Sequence, residues 1–215
     1  MRIPLNTNLH RLLGAAALAL LLSGTVSGCA SNKSASVNTQ FDFGPLSPLG
    51  ALGPQAERPP LAAIVVMDAT GSPTFENERM VYRLHYNDPL QARTYANSRW
   101  SANPLLLVTQ RIKSRLAQAG IKVLSATDSA TDVPVLRLEV DEFSHAFAST
   151  TASEGRLMLR ASLFNGHALL DQRTFTRATP ALTADAAGGA GALTASTDAT
   201  AADIIAWLAV DHRKR

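Results

Sequence analysis

The residue with the clearest chemistry in this chain is Cys29, its only cysteine. It closes the run Val26-Ser27-Gly28-Cys29, in which one apolar residue and two small ones precede a thiol. Upstream stand Arg2, Arg11 and an apolar stretch from Leu12 to Leu22. A positive start, a short apolar run and small residues before a break make an export signal. As a helix the run would span about 16 Å against about 30 Å of bilayer hydrocarbon, so it is a signal core and not a membrane span. The tetrapeptide resembles a bacterial lipobox, where the signal is cut before the cysteine and the thiol receives a diacylglycerol. Cys29 is therefore the expected lipid-attachment site, and residues 1–28 the signal peptide. A second group, Tyr95, Arg99 and Trp100, places aromatic rings beside a guanidinium. It could meet a partner, or it could be core packing with guanidinium stacking.

Other chemistry is absent from the pattern. There is no HExxH, CxxC, G-x-S-x-G or phosphate-binding glycine loop. The five histidines are scattered, and His10 goes with the signal. Asp141 and Glu142 look like a carboxylate pair, but neighbours on a strand point to opposite faces and do not converge. No catalytic residue, cofactor or metal ligand is expected. Of 20 basic and 17 acidic side chains, two arginines leave with residues 1–28, and the near-neutral remainder is no nucleic-acid binder. The basic end His212-Arg213-Lys214-Arg215 reads as a solvated tail. With Cys29 acylated, no thiol remains for a disulfide, so the fold must hold by packing.

The elements that position these residues follow from hydrophobic period. Residues 29–40 are small and polar and read as a tether with an r.m.s. reach of roughly 20 Å; residues 41–215 form a single domain. Phe41 to Pro45 reads as a short first strand, and the proline-rich stretch to Pro60 as a loop. Leu61 to Met67 is a continuous apolar run suited to a strand buried on both faces. Met80 to Tyr86 is another strand, broken at Asn87-Asp88-Pro89, with Tyr95 to Trp100 in a polar segment beyond. Asn103 and Pro104 then start a helix whose stripe is Leu105, Val108, Ile112 and Leu116, with Arg111 largely away from it, and Gly120 stops it. Ile121 to Leu124 resumes as a strand.

Along Val135 to Phe147, Leu136, Leu138 and Val140 alternate with polar residues, and Phe143, His145 and Phe147 continue on the opposite parity. That phase slip at Asp141-Glu142 predicts a β-bulge. A loop from Ala148 to Gly155 leads to an inward face of Leu157, Leu159, Ala161 and Leu163. Asn165-Gly166 signals a hairpin. A plain two-residue turn there would leave Phe175 on the wrong face, so the turn has an extra residue or the return strand is bulged. Leu182 to Leu208 is expected to be a long terminal helix with a weak, glycine-rich first half. The fold class is α/β (an α+β two-layer domain): a mixed, largely antiparallel sheet with two main helices packed on it.

The order of these features resembles the ABC-type transport auxiliary lipoprotein family, the PqiC-like lipoproteins. The residues that carry the resemblance are Cys29, the FDFGP turn at Phe41–Pro45, the Tyr82-Arg83 strand and Tyr95 with Arg99-Trp100 before the Pro104 helix. To these it adds LRLEVDEFSHAF, the Phe175 return strand and the Trp207-Leu208 helix end. The resemblance implies a non-enzymatic accessory subunit of a lipid-transport system with a permease, an ATPase and an MCE-domain protein, helping preserve envelope integrity. Ala30 after Cys29 lacks the aspartate that retains enterobacterial lipoproteins at the inner membrane, so an outer-membrane anchor facing the periplasm is implied. Expected partners are an MCE-domain protein, the membrane through the lipid, and a further copy of the chain. A scaffold lipoprotein for an outer-membrane protein or cell-wall synthase is the alternative, and a periplasmic hydrolase a third class.

Overall fold

One strand, Val135–Phe147, is the hub of the sheet and borders four of the eight others. The computed structural model describes residues 38–48, 61–128 and 131–211. The signal peptide, Cys29, the tether up to residue 37, most of the proline-rich loop and the basic tail lie outside the described residues. The strands are β1 (Thr39–Phe41), β2 (Ala63–Val66), β3 (Thr70–Gly71), β4 (Arg79–Leu84), β5 (Asp88–Trp100), β6 (Lys122–Leu124), β7 (Val135–Phe147), β8 (Ser153–Asn165) and β9 (Ala168–Pro180). The helices are α1 (Pro104–Gln118) and α2 (Ala186–Asp211), with a 3₁₀ turn at Pro73–Phe75. All nine strands belong to one sheet. It is mixed: the long pairings of β7 with β8 and of β8 with β9 are antiparallel, while β2, β3 and β4 meet β7 as short parallel partners. Both helices pack on this sheet and on each other, giving the expected α+β architecture.

β7 spans the residues its hydrophobic pattern marks, and its register with β8 slips between Val140 and Glu142. The bulge restores Phe143 to the face already occupied by Leu136, Leu138 and Val140, and all four are buried. β2 is buried along Ile64, Val65 and Val66 because β6 and β7 flank it on both sides. The hairpin resolves the Phe175 conflict in the second of the expected ways, by a bulge in the return strand, while the turn keeps two residues and sits one position later than Asn165-Gly166. Asn165 pairs with Ala168, so the turn residues are Gly166 and His167, and the register then shifts between Leu163 and Phe164. That shift sets Phe175 opposite Leu159 and buries it.

α1 starts where expected, with the Asn103 side chain accepting from the Leu106 amide at 2.8 Å and Pro104 in the first turn. It ends before Gly120, whose φ of +87° suits glycine alone at the helix stop. Asn103→Ala is expected to lose about 1 kcal/mol, read as a lower urea midpoint at constant m-value.

Four expectations need correction. The first strand is Thr39–Phe41 rather than Phe41–Pro45, because Asp42 turns the chain by accepting from the Gly44 amide at 2.7 Å. The domain accordingly begins within the last two residues assigned to the tether. The polar segment after Tyr86 is the long strand β5, and Pro89 lies inside it rather than ending it. Its side chains are mostly exposed, which removes the alternation that marks a half-buried strand. The loop after β7 is shorter than expected, since β8 already starts at Ser153. Arg111, read as facing away from the α1 stripe, is buried.

Candidate functional site

The aromatic residues of β4, β5 and β7 form two groups of ring contacts, one around Trp100 and one around His145, the latter against Gly189 near the start of α2. Trp100 is 1% exposed, with Phe43 edge-on at 5.6 Å and Phe143 at 5.5 Å between ring centres. Farther along, Tyr82 meets Tyr95 at 4.7 Å and Phe147 at 6.0 Å. His145 closes the second group, 4.4 Å from the Phe147 ring, and its Nδ1 lies 2.8 Å from the Tyr95 hydroxyl. β5 carries both Tyr95 and Trp100 to this inner side because its register with β4 slips between Arg79 and Val81. The three residues singled out on β5 therefore do not make one surface. Trp100 is core, Tyr95 is half-buried, and Arg99 is exposed at the sheet edge, 3.9 Å from Glu78. With the Gln40 amide oxygen turned toward it, Arg99 also donates to β1 from Nη2 at 2.9 Å.

Burial drives the ionisation of the second group. It pulls His145 down from 6.5 to about 4, against the opposing pull of Asp185, so the imidazole is neutral at pH 7 and Nδ1 can accept from Tyr95. Burial, with Tyr82 and Asp185 adding, pushes the Tyr95 phenol up. A histidine whose folded value is depressed binds protons in the unfolded chain first, so stability is lost as pH falls below 6.5 toward 4. The expected loss is about 2 kcal/mol between pH 7 and pH 5. Urea titrations at these pH values should show it, and His145→Asn should flatten the slope within that window.

α2 reaches the second group only because glycines let it. A Cβ on Gly189 would stand 2.4 Å from His145 Nδ1, and one on Gly155 of β8 would stand 2.5 Å from the Leu193 amide nitrogen of α2. The helix start is capped by Asp185, which accepts from the Gly188 amide at 2.8 Å. That bond, then one from Thr183, holds the Asp185 carboxyl below the usual carboxylate range. The glycine-rich half, which looks weak by propensity, is the half that must lie closest to the sheet.

A second polar centre joins the two helices. Asp198 of α2 accepts from Arg111 at Nε (2.6 Å) and Nη2 (2.8 Å) and from Arg115 at Nε (2.8 Å) and Nη2 (2.6 Å). Arg111 Nη1 also donates to the Gly44 carbonyl at 3.0 Å, and Arg115 Nη1 to the Ser47 carbonyl at 2.7 Å and to Gln118 Oε1 at 2.9 Å. Burial raises the Asp198 carboxyl, but the hydrogen bonds from Arg115 and Arg111 and their charges outweigh it and leave it below its ordinary value. Spacing could have pointed here: Arg111 and Arg115 lie four apart, on the same side of a helix. Their shared partner, 87 residues on from Arg111 and 83 from Arg115, was not legible.

Groups that could do chemistry have partners of their own. Asp141 meets Arg160 at 3.4 Å, Glu142 accepts from Ser144 at 3.1 Å, and His145 holds Tyr95. Among the described residues, no three His, Cys, Asp or Glu side chains gather as a metal site, and no helix is long and apolar enough to cross a membrane. An open groove of about 660 Å³ lies between β9 and the end of α2, lined by Asp171, Arg173, Phe175, Asp203 and Trp207. Its floor is tied together, with the Trp207 indole donating to Asp171 at 2.6 Å and Arg177 paired with Asp203. The strand edges are another accessible feature: among the described residues β9 pairs with β8 alone, and β1 pairs with β5 along Ser98–Trp100. Such edges accept an added strand.

Comparison with known proteins fits this arrangement. A crystal structure of a DUF330 protein from Xanthomonas campestris superposes with a TM-score of 0.62 at 16% identity, covering 82% of this chain and 94% of that one. A crystal structure of an uncharacterized protein gives 0.58 at 13% identity, over 80% and 99% of the two chains. At such identities the likeness is one of fold. No curated protein matches the sequence significantly. The family profile described as the ABC-type transport auxiliary lipoprotein component matches residues 46–205, from the turn after β1 to the last turns of α2. The chain belongs to the ABC-type transport auxiliary lipoprotein family.

Proposed function

We propose that this protein is anchored to the outer membrane through an acylated Cys29, faces the periplasm, and serves as a non-catalytic accessory subunit of an MCE/ABC-type lipid transporter, supporting envelope integrity. The observation that carries the reading is the family match across residues 46–205, joined to the lipobox pattern at Val26–Cys29. The geometry supports it in a further way. The buried charged side chains Arg111, Arg115 and Asp198 pair with one another, and what the described domain offers outward includes strand edges and shallow grooves, which suit contact with another protein. Of the three β5 residues, Arg99 is our candidate for partner contact, a reading that its exposure supports, while Trp100 belongs to the core.

The test is a crosslinked pull-down of the native lipidated protein from envelope membranes, read by mass spectrometry. Recovery of an MCE-domain protein is expected, and Arg99→Glu should reduce that recovery several-fold while leaving the melting temperature within a few degrees. A well-covered sample that returns only a cell-wall synthase or a β-barrel would overturn the proposal.

A further inference from the structure

Among the described residues, three of the six exposed large apolar side chains, the two most exposed included, lie toward one end of the sheet. Asp88 pairs with Leu84, Leu84 with Phe147 and Phe147 with Ser153, and the Ala181 amide donates to the Ser153 carbonyl at 2.9 Å. This hydrogen-bonded row crosses β5, β4, β7 and β8 to the connection between β9 and α2. Just beyond it project Leu182 at 100% exposure and Tyr86 at 49%, and Leu90, at 89%, stands two residues into β5 from Asp88. An apolar groove of about 540 Å³ opens beside Leu182 between that connection and the first turns of α2. Leu169 (52% exposed) is at the opposite end, next to the Phe164 that pairs with Val135.

The chain also enters the domain from the side of this apolar end. β1 is parallel to β5 with Thr39 opposite Ser98, so the backbone preceding Thr39 points along β5 toward Asp88. Ten residue steps separate Cys29 from Thr39, a contour of about 33–36 Å. The same ten steps run from Asp88 to Ser98 on β5, about 33 Å at strand rise. A lipid-bearing Cys29 can therefore lie level with the apolar end, at nearly full extension. Chain entropy opposes drawing the tether out beyond its relaxed span of roughly 20 Å, and insertion of apolar side chains is the force that can offset it.

We infer that the end of the sheet bearing Tyr86, Leu90 and Leu182 lies against the lipid surface that holds the anchor, with these side chains in its interfacial layer. The domain then stands upright on the membrane, with Leu169, the β8–β9 turn and the end of α2 directed away from it. An exposed leucine pair with a tyrosine suits this layer, where aromatic rings with one polar end also settle. This inference rests on the proposed acylation of Cys29.

The test uses the full lipidated protein carrying Leu90→Cys, Leu182→Cys or Leu169→Cys, each labelled with an environment-sensitive NBD fluorophore, since the native thiol is acylated. The proteins are reconstituted into phosphatidylethanolamine–phosphatidylglycerol vesicles with and without doxyl-labelled phospholipid. Labels at 90 and 182 should shift to shorter wavelength and be quenched at least threefold more than the label at 169. Equal, water-like emission at all three positions would overturn the inference and leave the apolar end to a protein partner. Intact mass reads the acylation separately. Unmodified Cys29 sinks both the anchoring reading and this one, whereas acylated Cys29 with aqueous labels sinks only the orientation.

Discussion

Replacing Asp198 with alanine is expected to destabilise the domain by about 3–5 kcal/mol, because it strands two buried guanidinium groups with no counter-charge. Arg115 is 2% exposed and Arg111 7%, so neither can turn to water without moving α1. Against a total stability of about 5–15 kcal/mol for an ordinary domain, that loss is a large fraction. A drop in melting temperature on the order of 10 °C should follow, with a lower urea midpoint. The effect comes from breaking the pair rather than from any large net worth of the pair itself. Arg111→Met, Arg115→Met and Asp198→Leu together, which remove charge on both sides, should therefore recover much of what Asp198→Ala alone loses. If the triple variant were no more stable than the single one, the clamp would have to act through the Gly44 and Ser47 carbonyls instead. The pH sign is set by the depressed carboxyl. Its contribution is complete above the unfolded value of 3.8 and is lost only as pH falls through the lower folded value.

Gly155→Ala is the second large effect, expected to cost about 3 kcal/mol or more. The added methyl would meet backbone on two sides, 2.5 Å from the Leu193 nitrogen and 2.6 Å from the Ala192 carbonyl carbon. No rotamer change can relieve that contact, so α2 must lift from β8. The Ser196 hydroxyl, which donates to the Gly155 carbonyl at 2.8 Å, moves with it. A lowered melting temperature and faster amide exchange in residues 190–200 would report the lift. Gly189→Ala should cost less, because there the obstacle is the His145 ring, a side chain that can tilt once its bond to Tyr95 is given up. A Gly155→Ala protein as stable as the parent would mean that the helix is not held at this height.

These two sites mark what could and could not be read in advance. The bulge in β7 was legible because a two-residue period cannot change phase without an extra residue, and the parity of Leu136–Val140 against Phe143–Phe147 showed the change. The α1 boundaries were legible because Asn103, Pro104 and Gly120 act within a few residues of themselves. Phe175 showed that the β8–β9 hairpin needed an irregularity, though not where it would fall. β5 was hidden because a strand exposed along most of its length has no apolar alternation to display. Tyr95, Arg99 and Trp100 look like one cluster in sequence, but strand alternation leaves Arg99 on the surface while the β4–β5 register slip turns both half-buried Tyr95 and core Trp100 inward.

The sequence by itself therefore determined the α1 boundaries, the β7 bulge, the α+β class and the family, since each depends on local spacing or on an ordered series of residues. The tertiary structure alone decided the Arg111–Asp198–Arg115 clamp, the closeness of α2 to Gly155 and His145, and the gathering of Leu90, Tyr86 and Leu182 at one end. Those depend on how segments far apart in the chain are brought within a few ångströms. Hydrophobic period specifies which face of an element turns inward, but not which distant residue it will find there.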